Sequence, residues 1–553
     1  MSDWISTKSA RRWFSPGVCG ALLIALGFTF GTYYYLTDVD TSPLFNVRVR
    51  IFDTRFTAPV DESKVAVERE HKRPDRYHRP RAVPAPLPAA TAKVDVTWRY
   101  HQPSICSDGG TRNYAGYLDY ANDTKHTFFW YYESRSQPAT DPLVLWLSGG
   151  PGCADTVGFL EEIGPCAYDA TTESLRRRSA SWNSRANVLF IDQPLGTGFS
   201  YSSDGVYNSS SAAADTVTFL RYFLAEFPQL QALKFHIFGE SYAGHYIPVL
   251  ARQILAYNER LKVIRPAGPN HMPPLLPIPL ATIAIGNGLI DLWLQAPSYH
   301  TMGCTAYQSG PIPPADTSGT ATTPASFSGD SADIGHGPSL PIFNATICDI
   351  IRNDITPQCL EGLTECYRGQ FVDTCRRAKT TCDKVYGLVE SKYIYDVRPH
   401  APVRAEAYIR YLNRPDVQAA LGVQRKYSDC DRAVYKNFVL GADWTSRRPL
   451  EDLTYIVRHG VPTLLYAGDA DFICNWYGNL AVAQAVEWPG QSQFNTQPWC
   501  NWNPLGNSTA YGQYLQYANL AFLRVWNAGH EVPMYQPEAS LAMLNNWVTR
   551  HSI

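Results

Sequence analysis

The stretch Phe235-His236-Ile237-Phe238-Gly239-Glu240-Ser241-Tyr242-Ala243-Gly244 runs an apolar strand-like segment directly into a serine and then into a helix-forming segment. A serine on so sharp a turn projects its hydroxyl above the sheet and sets the next backbone N–H where an acyl oxyanion would form. The turn needs small residues two positions either side of the serine. Gly239 meets that need, and Ala243 is small enough for the strand–helix crossing although it lacks glycine's freedom at positive φ. Gly-x-Ser-x-small also arises by chance, so the reading depends on what the rest of the chain supplies.

Outward from the turn, short apolar segments of buried-strand composition recur. Leu143–Leu147 is followed by glycines, Ala186–Asp192 and Lys234–Phe238 follow in turn, and Thr463–Tyr466 and Phe522–Trp526 come late. Tyr114–Tyr117 and Phe128–Tyr132 read as early aromatic strands, and Tyr242 towards Leu255 as the helix after the turn. Strands interleaved with amphipathic helices predict an α/β fold, a mostly parallel central sheet covered on its faces, over a body spanning 94–553. Ser309–Pro341 is rich in Pro, Gly, Ser and Thr and reads as an excursion. Beyond it Cys348, Cys359, Cys366, Cys375 and Cys382 crowd a short region, which predicts a disulfide-rich cap inserted at about 300–390.

A serine hydroxyl is a weak nucleophile at neutral pH and needs a neutral imidazole to take its proton and an acid to orient that imidazole. Gly468-Asp469-Ala470-Asp471-Phe472 follows one late strand and Asn527-Ala528-Gly529-His530-Glu531 follows another. The order serine, acid, histidine is the one expected of an α/β-hydrolase. His530 has the loop placement that an imidazole base needs. His236 lies inside a strand and reads as a core residue, and His245, one helical turn past the serine, reads as a hydrogen-bonding group beneath the turn. Spacing alone leaves Asp469 and Asp471 equally available.

The chain has 553 residues, 45% of them hydrophobic and 18% charged, which suits a folded globular body. A formal charge of -2 and the lack of a dense Lys/Arg stripe give no electrostatic reason to expect a nucleic-acid partner. Gly286-Asn287-Gly288-Leu289-Ile290-Asp291 lacks the context of a phosphate loop and reads as structural. No metal or organic cofactor is expected.

Gly17–Leu36 is an uncharged run, preceded by Lys8, Arg11 and Arg12 and followed by Asp38 and Asp40, with Trp13 and Tyr33-Tyr34-Tyr35 near its two ends. It is expected to be a transmembrane signal anchor, with residues 1–16 in the cytosol, or else the core of a cleaved signal peptide. Residues 37–93 are polar and then proline-rich, and read as a stalk, linker or propeptide. Thirteen cysteines and the sequons at Asn122, Asn208, Asn344 and Asn507 agree with a lumenal, secreted or vacuolar destination.

Several segments together resemble the serine carboxypeptidase family of the α/β-hydrolase superfamily: Trp146-Leu147-Ser148-Gly149-Gly150-Pro151-Gly152-Cys153, Ser181-Trp182-Asn183 leading to Ile191-Asp192-Gln193-Pro194, Gly239–Gly244, Tyr466–Phe472 and Ala528-Gly529-His530-Glu531-Val532-Pro533. The resemblance runs from about Ile105 to the C-terminus. It implies stepwise removal of C-terminal residues from peptides and proteins through an acyl-enzyme, with Ser241, Asp471 and His530 as the catalytic residues. It implies oxyanion donors at the backbone N–H groups of Gly150 and Tyr242, and a pocket for the substrate carboxylate made by Trp146, Ser148, Gly149, Glu162 and Glu240.

Two glutamates that share a proton can donate a hydrogen bond to a carboxylate, so the resemblance also implies binding favoured at mildly acidic pH. His530 must be neutral to act, which makes the opposite demand and implies a bell-shaped profile. The resemblance further pairs Cys153 with Cys430, makes Cys474 a buried free thiol, and puts Glu531 in the pocket of the leaving residue, where it would favour Lys or Arg.

The sequence departs from the family pattern at Ser148, where asparagine is common, and at Ala154-Asp155, where paired serines are familiar. These departures leave open an esterase, amidase or acyltransferase using the same site, or a nonenzymatic binding protein on the same scaffold.

Overall fold

A computed structural model describes residues 96–106, 108–262, 276–311, 341–399 and 407–553. The expectations for residues 1–16, 17–36 and 37–93 fall outside that range. The expectation of a transmembrane anchor is corrected: no helix among the described residues is long and apolar enough to cross a membrane, and membrane attachment is not carried further.

The strands are β1 (Thr97–His101), β2 (Asn113–Tyr120), β3 (Lys125–Tyr132), β4 (Leu143–Leu147), β5 (Cys166–Asp169), β6 (Ser174–Arg177), β7 (Asn187–Ile191), β8 (Tyr201–Ser202), β9 (Phe235–Glu240), β10 (Leu280–Gly286), β11 (Thr463–Gly468), β12 (Cys500–Trp502), β13 (Gly512–Tyr517) and β14 (Leu520–Val525). One sheet has the order β1-β2-β3-β7-β4-β9-β10-β11-β14-β13-β12, with β8 beside β3, while β5 and β6 form a separate hairpin. From β7 to β14 the neighbours are parallel, and antiparallel strands close both edges. The α/β fold, with its mainly parallel core, is therefore as the sequence predicts.

The central strands are buried on both faces because helices cover both. Every residue of β4, Leu-Val-Leu-Trp-Leu, is buried, as is every residue of β9 and β11. Full burial of one large aliphatic side chain is worth roughly 1.5–3 kcal/mol, so the apolar residues of these strands anchor the core. The helix Ala243–Leu261 follows β9 and buries Ile247, Leu250 and Ile254 at helical spacing against the sheet. Asn208 caps the helix Ser209–Glu226, its Oδ1 accepting the Ser211 N–H at 2.9 Å.

The cysteine-rich insert folds as helices Ala345–Ile350, Thr356–Gly369 and Val372–Cys382. Cys304–Cys348, Cys359–Cys382 and Cys366–Cys375 staple it, the arrangement of a small cap. Cys106–Cys166, a pairing the sequence did not suggest, ties the entry to β2 to the β5–β6 hairpin.

Candidate active site

Five adjacent parallel strands, β4, β9, β10, β11 and β14, deliver their following loops to one edge of the sheet. In that spatial order the loops carry Ser148–Gly150, Ser241, Asn287, Asp471 and His530. Residues far apart in sequence meet because parallel strands all end on the same side.

Ser241 has φ 61, a left-handed conformation uncommon for a residue with a side chain. The turn is held from below: Ser241 N–H donates to Gly286 O at 3.0 Å, and Ser241 O accepts from Leu289 N at 2.9 Å and Gly244 N at 3.0 Å. Gly239 is required at the crossing, since a Cβ there would lie 2.2 Å from Leu147 O. Gly149 is required on the facing loop, since its Cβ would lie 2.5 Å from both Ser241 Cβ and Tyr242 N, and 2.8 Å from Ser241 Oγ. The glycine loop thus lies directly against the serine and the next N–H. Ser241 and Gly150 are half-buried while Gly149 and Tyr242 are buried, so the opening is at the serine.

His530 is buried and its Nδ1 lies 2.8 Å from Asp471 Oδ2. Asp471 is held by further donors: Asn287 Nδ2 at 2.8 Å and Cys474 N at 3.1 Å reach Oδ2, and Ile473 N reaches Oδ1 at 3.1 Å. Asp469, the competing carboxylate, is turned elsewhere, accepting from Tyr307 OH at 2.8 Å, Ser309 Oγ at 3.1 Å and Arg524 Nη2 at 3.3 Å. Burial alone pushes His530 down. The Asp471 charge and hydrogen bond, with help from Glu531 and Glu162, nevertheless raise it above the ordinary histidine value.

The acid and histidine loops are joined to each other and to the segment before residue 400. Ala470 N donates to Ala528 O at 2.8 Å, His530 N to Tyr395 O at 2.9 Å, and Ile473 N to Ile394 O at 3.0 Å. The Tyr395 ring lies 5.2 Å from the imidazole. Nothing in the sequence pattern marked this strap, because its contacts are mostly backbone ones.

His236 is a core residue, its Nδ1 2.8 Å from Thr282 Oγ1, and burial lowers it to about 3. His245 lies beneath the turn, with Nδ1 2.7 Å from Leu289 O and its ring stacked on Tyr242. Tyr242 OH donates to Asp443 Oδ2 at 3.0 Å, fixing the residue whose N–H faces the glycine loop.

Trp146, Ser148, Gly149, Glu162 and Glu240 are all buried. Trp146 Nε1 donates to Ser148 Oγ at 3.2 Å, so the short hydroxyl at this position serves the indole. Both Glu240 and Glu162 lie close enough to Tyr466 to add to the upward push that burial gives its phenol. Asp155 is turned under the loop, Oδ1 accepting Ser148 N–H at 2.6 Å and Oδ2 accepting Ile191 N–H at 3.3 Å. Its burial, and the charge of Asp192, hold the carboxyl well above the usual carboxylate range. Glu531 is 3% exposed, which excludes a role as a surface-solvating residue.

Cys153 and Cys430 form a disulfide, S–S 1.99 Å, and Ala154 N donates to Asp429 O at 2.8 Å, so the glycine loop is bound to a later segment. Cys474 is a buried free thiol, which burial and the charges of Asp471 and Glu240 keep protonated. Asn122, Asn344 and Asn507 are exposed and Asn208 is half-buried. Among the described residues, Asp119, Asp123 and His126 come together with metal-ligand spacing. The Arg99 guanidinium already occupies Asp119, however, one of its bonds spanning 2.9 Å.

A family model described as serine carboxypeptidase matches residues 103–550. Carboxypeptidase Y of Schizosaccharomyces pombe is 37% identical over 447 residues, covering 79% of this chain and 41% of that protein. The chain thus spans less than half the length of that relative. Carboxypeptidase Y homolog A of Leptosphaeria maculans is 34% identical over 468 residues, covering 83% of this chain and 76% of that protein. A prohormone-processing carboxypeptidase from Saccharomyces cerevisiae shares the fold, with TM-score 0.62 and 20% identity over 81% of this chain and 94% of that one.

Proposed function

The chain belongs to the serine carboxypeptidase family, and we infer from this premise that it is a serine-type carboxypeptidase, releasing C-terminal amino acids from peptides and proteins through an acyl-enzyme. In this reading Ser241 Oγ attacks the last peptide carbonyl while His530 Nε2 takes its proton. The leaving amino acid receives that proton, and water then attacks the acyl-enzyme by the same route. Asp471 holds the tautomer with the proton on Nδ1 and stabilises the imidazolium. The observation that carries the reading is the 2.8 Å contact of His530 Nδ1 with Asp471 Oδ2 at the same sheet edge as the left-handed Ser241.

The backbone N–H groups of Gly150 and Tyr242 are proposed as the oxyanion donors, supported by the direct packing of the glycine loop on Ser241. Losing one such donor costs on the order of 3 kcal/mol of transition-state stabilisation. Trp146, Ser148, Gly149, Glu162 and Glu240 are proposed to receive the substrate carboxylate, with one proton shared between the glutamates as the donor. Glu531 is proposed to line the leaving-residue pocket.

Asp155 gives no reason to expect altered substrate recognition, because its carboxylate is spent on Ser148 and Ile191. The disulfides favour folding in an oxidising compartment, and a secretory or vacuolar setting is proposed on that ground.

The test is digestion of a peptide library by wild-type protein and by Ser241→Ala. Serial losses of single C-terminal residues that stop with Ser241→Ala support the reading, and internal cuts contradict it.

A further inference from the structure

We propose that Asn287 is a positioning residue for the reaction, fixing the Asp471 carboxylate from the strand that lies between those of the nucleophile and the acid. The proposal rests on the assignment of Asp471 and His530 made above.

Asn287 directly follows β10, a strand flanked by β9, which leads to Ser241, and β11, which leads to the acid loop. Its side-chain amide is used at both ends: Nδ2 donates to Asp471 Oδ2 at 2.8 Å, and Oδ1 accepts Gly468 N–H at 2.9 Å. Its own N–H donates to Tyr466 O at 2.8 Å. One fully buried side chain therefore spans the acid and the last residue of the strand from which the acid loop departs. The residue takes φ 38, a left-handed conformation that asparagine adopts more readily than other side chains.

The consequence is electrostatic as well as geometric. Asp471 Oδ2 receives Asn287 Nδ2, Cys474 N and His530 Nδ1 together. A neutral donor on the carboxylate spreads its charge and weakens its hold on the imidazolium proton. Without Asn287 the carboxylate holds that proton more tightly, and His530 becomes neutral only at higher pH. The other groups acting on His530 are Glu531 and Glu162, and Cys474 and Tyr299 face Asp471. All remain in every variant, so a displacement between variants reports the Asn287 contact.

The experiment measures kcat and KM against pH for an N-blocked dipeptide with a free C-terminus. It compares wild type, Asn287→Gly, Asn287→Asp and Asp471→Asn, each with its thermal midpoint. Asn287→Gly tolerates the backbone conformation and deletes the amide's contacts with Asp471, with Gly468 N–H and, at 3.4 Å, with Cys474 O. It is expected to lower kcat about tenfold or more, as loss of a hydrogen bond to a charged group does, with little change in KM and the acid limb of kcat/KM moved to higher pH. Asn287→Asp keeps an acceptor for Gly468 N–H but sets a second carboxylate against Asp471. Its acid limb is expected to move further in the same direction, and it decides the matter if the glycine variant does not fold.

An acid limb that stays in place in both variants, with activity falling only as the folded fraction falls, overturns the proposal and leaves Asn287 a packing residue. Full activity in Asp471→Asn is a separate result, which overturns the assignment of the acid itself.

Discussion

At the scale of single residues, the sharpest contrast is between two aspartates one residue apart. Asp469 is neutralised by Arg524 and two hydroxyls, whereas Asp471 faces His530. Replacing Asp471 with Asn leaves the packing but permits the wrong imidazole tautomer. It is expected to lower kcat by on the order of ten-thousand-fold with KM changed little, read from steady-state kinetics on a blocked dipeptide. Glu531 is buried next to the imidazole, so its charge acts at short range with little screening. Glu531→Gln is expected to reduce the preference for Lys or Arg over Leu as the released residue. An unchanged preference across a C-terminal peptide panel would remove Glu531 from the leaving-residue pocket.

Among the elements, the loop after β4 depends on a carboxylate beneath it. Asp155→Ala strands two buried backbone donors, Ser148 N and Ile191 N, each worth about 1–3 kcal/mol when left unsatisfied. A lower thermal midpoint and a lower kcat/KM are expected together, because the same loop lies against Ser241. Asp155→Asn, which keeps one acceptor oxygen, is expected to fall between alanine and wild type.

The elements were legible in sequence where chemistry and pattern coincide. Gly239 and Ser241 announced the turn, and the unbroken apolar runs of β4, β7 and β11 announced strands buried on both faces. Other features were not legible, for physical reasons. A cysteine's partner depends on tertiary path, so Cys106–Cys166 left no local trace. Asn287 sits in a Gly-Asn-Gly segment that reads only as structural, because its link to Asp471 depends on β10 lying between β9 and β11. The place of Asp155 beneath the glycine loop is set by two backbone donors, Ser148 N and Ile191 N, that come from the ends of different strands, so its role is not carried by local sequence.

For the molecule as a whole, pH acts in opposing ways on activity and on stability. His530 is raised, so the fraction with a neutral base grows as pH climbs through that raised value, and kcat should rise with it. Asp192 is buried and pushed from 3.8 up to about 7, and Asp155 is displaced in the same direction. Between those limits the folded state binds more protons than the unfolded chain, so the stability these carboxyl groups contribute is present at low pH and lost as pH rises towards 7. Thermal midpoints measured from pH 4 to pH 8 should therefore show a decline from this source. Asp192→Asn should flatten it, and an identical profile in that variant would show that Asp192 titrates normally.

The most direct measurement compares the rate at which one N-blocked dipeptide is cleaved as its free acid and as its C-terminal amide, by wild type and by Ser241→Ala. The account predicts rapid release of the last residue from the acid, much slower cleavage of the amide, and no turnover of either by Ser241→Ala. Equal rates on acid and amide, or turnover that survives loss of the serine hydroxyl, would contradict it.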